Sequence, residues 1–162
     1  MKTILARLAA IVAASLACVS AHADDTQFVG YWTCTLQGNA IDYAFYENGS
    51  FLRHFVLHAK GVDLTVYNQG AWASGKTQLI ITSKAMRVDN VQGNTQGWEA
   101  LGKDAQSIWF KYSELSPNTF NMLSVMSANS DMSKVSHEHG DGPFACIRNP
   151  QLASAFAHLM RR

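Results

Sequence analysis

The chain has 162 residues, 48% of them hydrophobic and 15% charged, with 13 Lys and Arg against 12 Asp and Glu. That length and composition describe one ordinary domain, and so even a charge balance excludes a basic nucleic-acid-binding surface as a bulk property. Beyond the first two dozen residues no stretch approaches the ~18 consecutive apolar residues of a spanning helix, so no membrane contact is expected there.

In chain order, Lys2 and Arg7 precede an apolar run from Leu8 to Val19 that ends at Ala21-His22-Ala23. A basic start, an apolar middle and a small-residue A-x-A end are the features of a secretory signal peptide, so residues 1–23 are expected to be cleaved after Ala23. The product is then periplasmic or secreted. Cleavage leaves 139 residues with 11 basic and 12 acidic side chains, a net charge of −1. Cys18 departs with the leader. Cys34 and Cys146 remain, and in an oxidising compartment an even pair reads as one disulfide. The alternative, lipidation of Cys18, has Ser15 where bacterial lipoprotein signals carry Leu.

From Gln27 to Arg148 short runs rich in aromatic and β-branched residues alternate with Gly, Asn, Asp and Ser, the pattern of an antiparallel β domain. The expected strands are Phe28–Leu36, Ala40–Glu47, Phe51–His58, Asp63–Tyr67, Gly70–Ala73, Gln78–Ser83, Met86–Val91, Gly97–Leu101, Ser107–Leu115, Thr119–Met126 and Phe144–Arg148. The fold class they imply is all-β: an antiparallel up-and-down barrel of about 8–10 strands spanning residues 24–149, closed so that no sheet edge is exposed. A sandwich is the alternative. Glu47-Asn48-Gly49-Ser50 suggests a two-residue type I′ turn, which sets Tyr43 opposite His54 and Ile41 opposite Val56. In that register Ile41, Tyr43, Phe45, Leu52, His54 and Val56 share the more apolar face and point inward, with His58 further along the same face.

Residues 150–162 are expected to form an amphipathic C-terminal helix packed on the barrel. Asn149 and Pro150 suit its start. Leu152, Ala155, Phe156, Leu159 and Met160 draw one apolar stripe, and Arg161 and Arg162 suit the negative end of the helix dipole.

Gly30-Tyr31-Trp32 on the first strand has the G-x-W form found at the start of lipocalins, and Arg148 stands late in the chain as the family's Arg does. Gly30, Trp32 and Cys34, then Asn48-Gly49-Ser50-Phe51, Gly70-Ala71-Trp72 and Cys146-Ile147-Arg148 follow the order seen in bacterial lipocalin-like (calycin-type) exported domains. The chain resembles that family over most of its length after the leader. The resemblance implies that Arg148 lies over Trp32 to close the barrel, and that the interior binds a small apolar molecule. Closure also makes the first and last strands neighbours, which brings Cys34 within reach of Cys146.

Tyr43, Phe45, His54, Val56 and His58 are the expected ligand-binding residues, with simple core packing as the alternative role. Ser136–Pro143 falls in a polar loop, expected to run from Ser127 to Gly142, where His137, His139 and Asp141 alternate. Extended, they converge from one side, as zinc or copper ligands would, and the thioethers of Met122, Met126 and Met132 upstream suit Cu(I). No organic cofactor is expected. Catalytic motifs are absent: there is no G-x-S-x-G elbow, H-E-x-x-H helix, phosphate loop or G-x-G-x-x-G turn, and no acid–base pair of carboxylates.

These features give an exported, monomeric, non-enzymatic binding protein whose barrel takes a small hydrophobic ligand. Two other readings stay beside it: a periplasmic metal-binding protein using the His137/His139/Asp141 loop, and a secreted module with a protein partner, such as an inhibitor, immunity protein or antigen.

Overall fold

A computed structural model describes residues 25–36, 38–59, 61–90, 96–130, 132–136 and 143–160. The expected signal peptide, Arg161, Arg162 and the metal-ligand candidates His137, His139 and Asp141 lie outside the described residues.

The strands are β1 (Gly30–Leu36), β2 (Asn39–Phe45), β3 (Ser50–Ala59), β4 (Val62–Ser74), β5 (Gln78–Asn90), β6 (Glu99–Ala100), β7 (Gln106–Ser113), β8 (Thr119–Asn129), β9 (Val135–Ser136) and β10 (Phe144–Arg148). All pairings are antiparallel. β1 through β5, β7, β8 and β10 close into an eight-stranded up-and-down barrel, because β10 pairs with both β8 and β1. The short strands β6 and β9 attach to β5 and β8. The helix α1 (Leu152–Met160) follows the last strand.

Four of the expected strands fuse into two. Asp63–Tyr67 and Gly70–Ala73 are both parts of β4, and Gln78–Ser83 and Met86–Val91 both fall on β5 up to Asn90. The hydrophobic alternation breaks at one place in space, a bulge between Gln69 and Gly70 where β5 contributes the extra residue, Lys84. Gly70 is needed there, since a Cβ on it would collide with the Thr82 carbonyl of β5. The expected loop from Ser127 is likewise shorter: β8 runs to Asn129 and turns back into β9, with Ser127 opposite Ser136.

The inner face carries a core of Phe28, Trp32, Tyr43, Phe45, Phe51, Trp72, Leu79, Ile81, Phe110, Phe120 and Met122, together with the Cys34–Cys146 disulfide, whose cysteines are cross-strand partners on β1 and β10. One end is sealed by aromatics. Phe28 meets Tyr112 and Phe120 edge-on at 4.9 and 5.2 Å, and Trp32 meets Phe120 at 4.8 Å. The buried indole N–H of Trp32 donates to the Phe28 carbonyl at 2.7 Å. Arg148 lies over the Trp32 ring, 4.3 Å from its centroid, and donates to the carbonyls of Pro117, Val29 and Gln27 at 2.6, 2.8 and 3.0 Å.

The β2–β3 hairpin corrects the expected register by one residue. Phe45 pairs with Phe51, Tyr43 with Arg53, Asp42 with His54 and Ile41 with Phe55. The turn has three residues, not two: Tyr46 and Ser50 close it, Gly49 N–H donates to the Tyr46 carbonyl at 3.0 Å, and Gly49 alone takes a positive φ of 76°. This is a type I turn followed by a left-handed glycine. Sliding one strand by one residue turns all its side chains over. Ile41, Tyr43 and Phe45 do face inward, but Leu52, His54, Val56 and His58 are on the outer face, and the inner face of β3 is Phe51, Arg53 and Phe55.

Candidate functional site

Two places on the barrel gather chemistry. The first is the half of the interior remote from Trp32. There Arg53 on β3 faces Asn68 on β4 and donates from Nε and Nη2 to its Oδ1, at 3.2 and 2.7 Å. Across β2 the guanidinium stands beside Tyr43. Burial pushes the Tyr43 hydroxyl above its ordinary pKa, and the adjacent Arg53 opposes that shift. Arg53 also lies 5.3 Å from the centroid of Phe55. Asn68, Ser83 and Ser124 are buried on the same inner face. Among the described residues no carboxylate pairs with Arg53; the ion pairs formed are His54–Asp42, His58–Asp63 and Arg87–Asp89. Around Trp32 the inward side chains are fully buried, whereas Ile41, Arg53, Phe55, Met86 and Val88 are only partly so, which leaves this half more accessible to solvent.

The second place is outside. Registers along the wall put Thr33, Asp42, His54, Tyr67 and Arg87 in one row across β1 to β5. Asn149 Nδ2 donates to Thr33 Oγ1 at 3.0 Å, Thr33 donates to Asp42 Oδ1 at 2.7 Å, and His54 Nδ1 stands 3.2 Å from Asp42 Oδ2. Burial of Asp42 works against its ionisation, but the His54 and Thr33 hydrogen bonds and the His54 charge outweigh it and hold the carboxyl below its ordinary value. The His54 ring stacks on Tyr67 at 5.6 Å and 23°. Arg87 lies 5.4 Å from the Tyr67 centroid and grips Asp89 with Nε and Nη2, at 2.9 and 2.6 Å. Its pKa is raised, chiefly by that hydrogen bonding.

Helix α1 roofs this row. Main-chain bonds from Leu152 to Asn149 and from Ala153 to Pro150 lead into it, so it begins at Leu152 and not at Pro150. Phe156 anchors it, buried against Ala44 and Leu52, stacked on Tyr31 at 6.1 Å and edge-on to His54 at 6.4 Å. Between helix and wall remains a cavity of about 300 Å³ lined by His54, Tyr67, Arg87, His158 and the apolar side of the helix.

Of the residues expected from sequence to bind a ligand, Tyr43 and Phe45 lie in the core and stack at 5.5 Å. His54 belongs to the outer row. Val56 and His58 are exposed, His58 beside Asp63 at 2.6 Å. The methionines do not converge: Met122 is buried inside, a bulge at Trp109/Phe110 turns Met126 to the outer face, and Met132 is exposed in the β8–β9 turn. Among the described residues no three His, Cys, Asp or Glu gather as a metal site would require. Arg53, Asn68, Tyr67 and Arg87 are not among the residues that the sequence marks as candidates. An Arg alternating with Phe51 and Phe55 was the one available signal.

With this geometry the molecule belongs structurally to the closed eight-stranded antiparallel barrels that carry a C-terminal helix. Comparison with protein-family models, with curated proteins and with solved structures gave no match. No helix among the described residues is long and apolar enough to cross a membrane.

Proposed function

We propose that this is an exported, non-enzymatic binding protein of the lipocalin-like kind, and that the interior half beyond Tyr43 takes a small amphiphile with an apolar body and an acidic head. One observation carries the reading: Arg53 is a cation inside a barrel, held by Asn68 and set opposite Tyr43, with no carboxylate partner among the described residues. A partly desolvated charge without a counter-ion is costly, and an anionic ligand group would offset that cost. Ile41, Phe55 and Val88 around it suit an alkyl or terpenoid body. The Trp32–Arg148 closure at the other end supports the lipocalin-like assignment, and the disulfide is compatible with export.

Calorimetric titration of the disulfide-intact protein with laurate and with dodecanol tests this. Laurate is expected to bind. Replacing Arg53 by Met should weaken laurate by at least about tenfold, the worth of a charged hydrogen bond, and leave dodecanol unchanged. Absence of saturable binding of either compound, with no lipid co-purifying by mass spectrometry, would overturn the reading.

A further inference from the structure

We propose that the cavity between α1 and the outer wall is a second binding site, separate from the barrel interior, for a planar aromatic molecule of one or two rings bearing a carboxylate or similar acceptor group.

Its shape follows from the topology. The helix rests on β1 and β2 through Phe156, and its far side overhangs β4 and β5 without filling the space above them. The floor left beneath is three flat groups side by side: the His54 imidazole, the Tyr67 ring and the Arg87 guanidinium, each the cross-strand partner of the next. The roof is Leu152, Ala155, Phe156 and Leu159. A ledge of π faces under an apolar lid favours a flat ligand slid between them. The volume of about 300 Å³ is at the small end for ligand pockets, which limits the ligand to one or two rings.

The polar chemistry narrows the class further. Both carboxylates near the floor are already engaged, Asp42 by Thr33 and His54 and Asp89 by two nitrogens of Arg87. Arg87 retains Nη1, and the Tyr67 hydroxyl has no hydrogen-bond partner among the described residues. Nη1 can only donate and the Tyr67 hydroxyl can donate beside it, so an acceptor on the ligand suits both. Arg87 is nearly buried and Asp89 fixes its plane, so little side-chain freedom is lost when a ligand arrives.

Titration of the disulfide-intact protein with 1-naphthoate and with neutral 1-naphthalenemethanol, followed calorimetrically, tests the site. Naphthoate is expected to bind saturably and more tightly than the alcohol. Ala155→Trp, a change at an exposed helix position that places an indole in the cavity, should weaken naphthoate by at least about tenfold. Arg87→Lys, whose single ammonium would pair with Asp89 and leave no donor in the place of Nη1, should remove the preference for the acid. Arg53→Met should leave naphthoate affinity unchanged, which separates this site from the interior one. Unaltered affinity in Ala155→Trp, or loss of naphthoate binding in Arg53→Met, would overturn the proposal, as would equal affinity for acid and alcohol.

Discussion

Arg148 ties the entry into β1 to the β7–β8 turn at the sealed end of the barrel, and Arg148→Met isolates its polar head. Three carbonyls would lose a donor: those of Val29, Pro117 and Gln27, which belong to the entry into β1 and to the β7–β8 turn. The bond to Val29 is partly buried and charge-assisted, worth about 1.5–3 kcal/mol, while the two exposed bonds contribute about 0.5 kcal/mol each after solvent screening. The cation over Trp32 adds about 1 kcal/mol, and the Met side chain recovers part of the packing. The expected loss is about 3–4 kcal/mol. Urea unfolding followed by tryptophan fluorescence reads it, as a lower midpoint at unchanged slope. Gly30 sharpens the test. It sits at φ 126° directly beneath Arg148, and a Cβ added there would collide with Nη1. Gly30→Ala should therefore be costly in the wild-type background and less so beside Arg148→Met, a coupling that a double-mutant cycle measures. A loss below about 0.5 kcal/mol for Arg148→Met would refute the view that this arginine ties the chain ends together.

Three further outcomes are expected. Reducing Cys34–Cys146, with a sequence separation of 112, frees the unfolded chain and should lower stability by up to about 5 kcal/mol on the chain-entropy model, read as the urea midpoint with and without reductant. Phe156→Ala removes the anchor of α1; it should cost about 3 kcal/mol or less, because the helix can detach while the barrel stays closed, and amide exchange should accelerate across 152–160 but not in β7 and β8. Asp42 has a folded-state pKa below its ordinary 3.8, so its contribution is complete above that value and is lost as pH falls through the lower folded one. Asp42→Asn should accordingly be less stable than wild type at pH 6, with the gap closing below about pH 3.8; a gap independent of pH would sink the assignment.

The fold was largely legible in the sequence. β10 has the bounds the hydrophobic run suggests, and β1, β2, β3 and β8 begin or end within a few residues of expectation. What failed had local causes. Two long strands read as four because the Gly70 bulge interrupts the alternation of both β4 and β5 at once. The β2–β3 register slipped because Asn48-Gly49 satisfies either a two-residue turn or a three-residue turn with a left-handed Gly49, and composition does not choose between them. Polarity favours the wrong one: Leu52, His54 and Val56 are less polar than a set containing Arg53, which makes them the expected inner face. In the structure α1 covers Leu52 and His54 from outside, while Asn68 accepts from Arg53 within.

That reversal explains why neither candidate site could be read from the sequence. A strand normally shows its function by putting polar groups out and apolar groups in, but around Leu52 and His54 β3 is covered on both faces, by the core and by the helix. Each face then has a polar residue under cover: Arg53 on one, held by Asn68, and His54 on the other, between Asp42 and Tyr67. Their neighbours come from β2, β4 and β5, so the row Asp42–His54–Tyr67–Arg87 and the cluster Tyr43–Arg53–Asn68 exist only through cross-strand register. A one-residue slip would exchange the two sets, placing His54 among the core aromatics and Arg53 beneath Phe156. The three-residue turn at Glu47-Asn48-Gly49 is therefore as much a determinant of both binding surfaces as any residue that lines them.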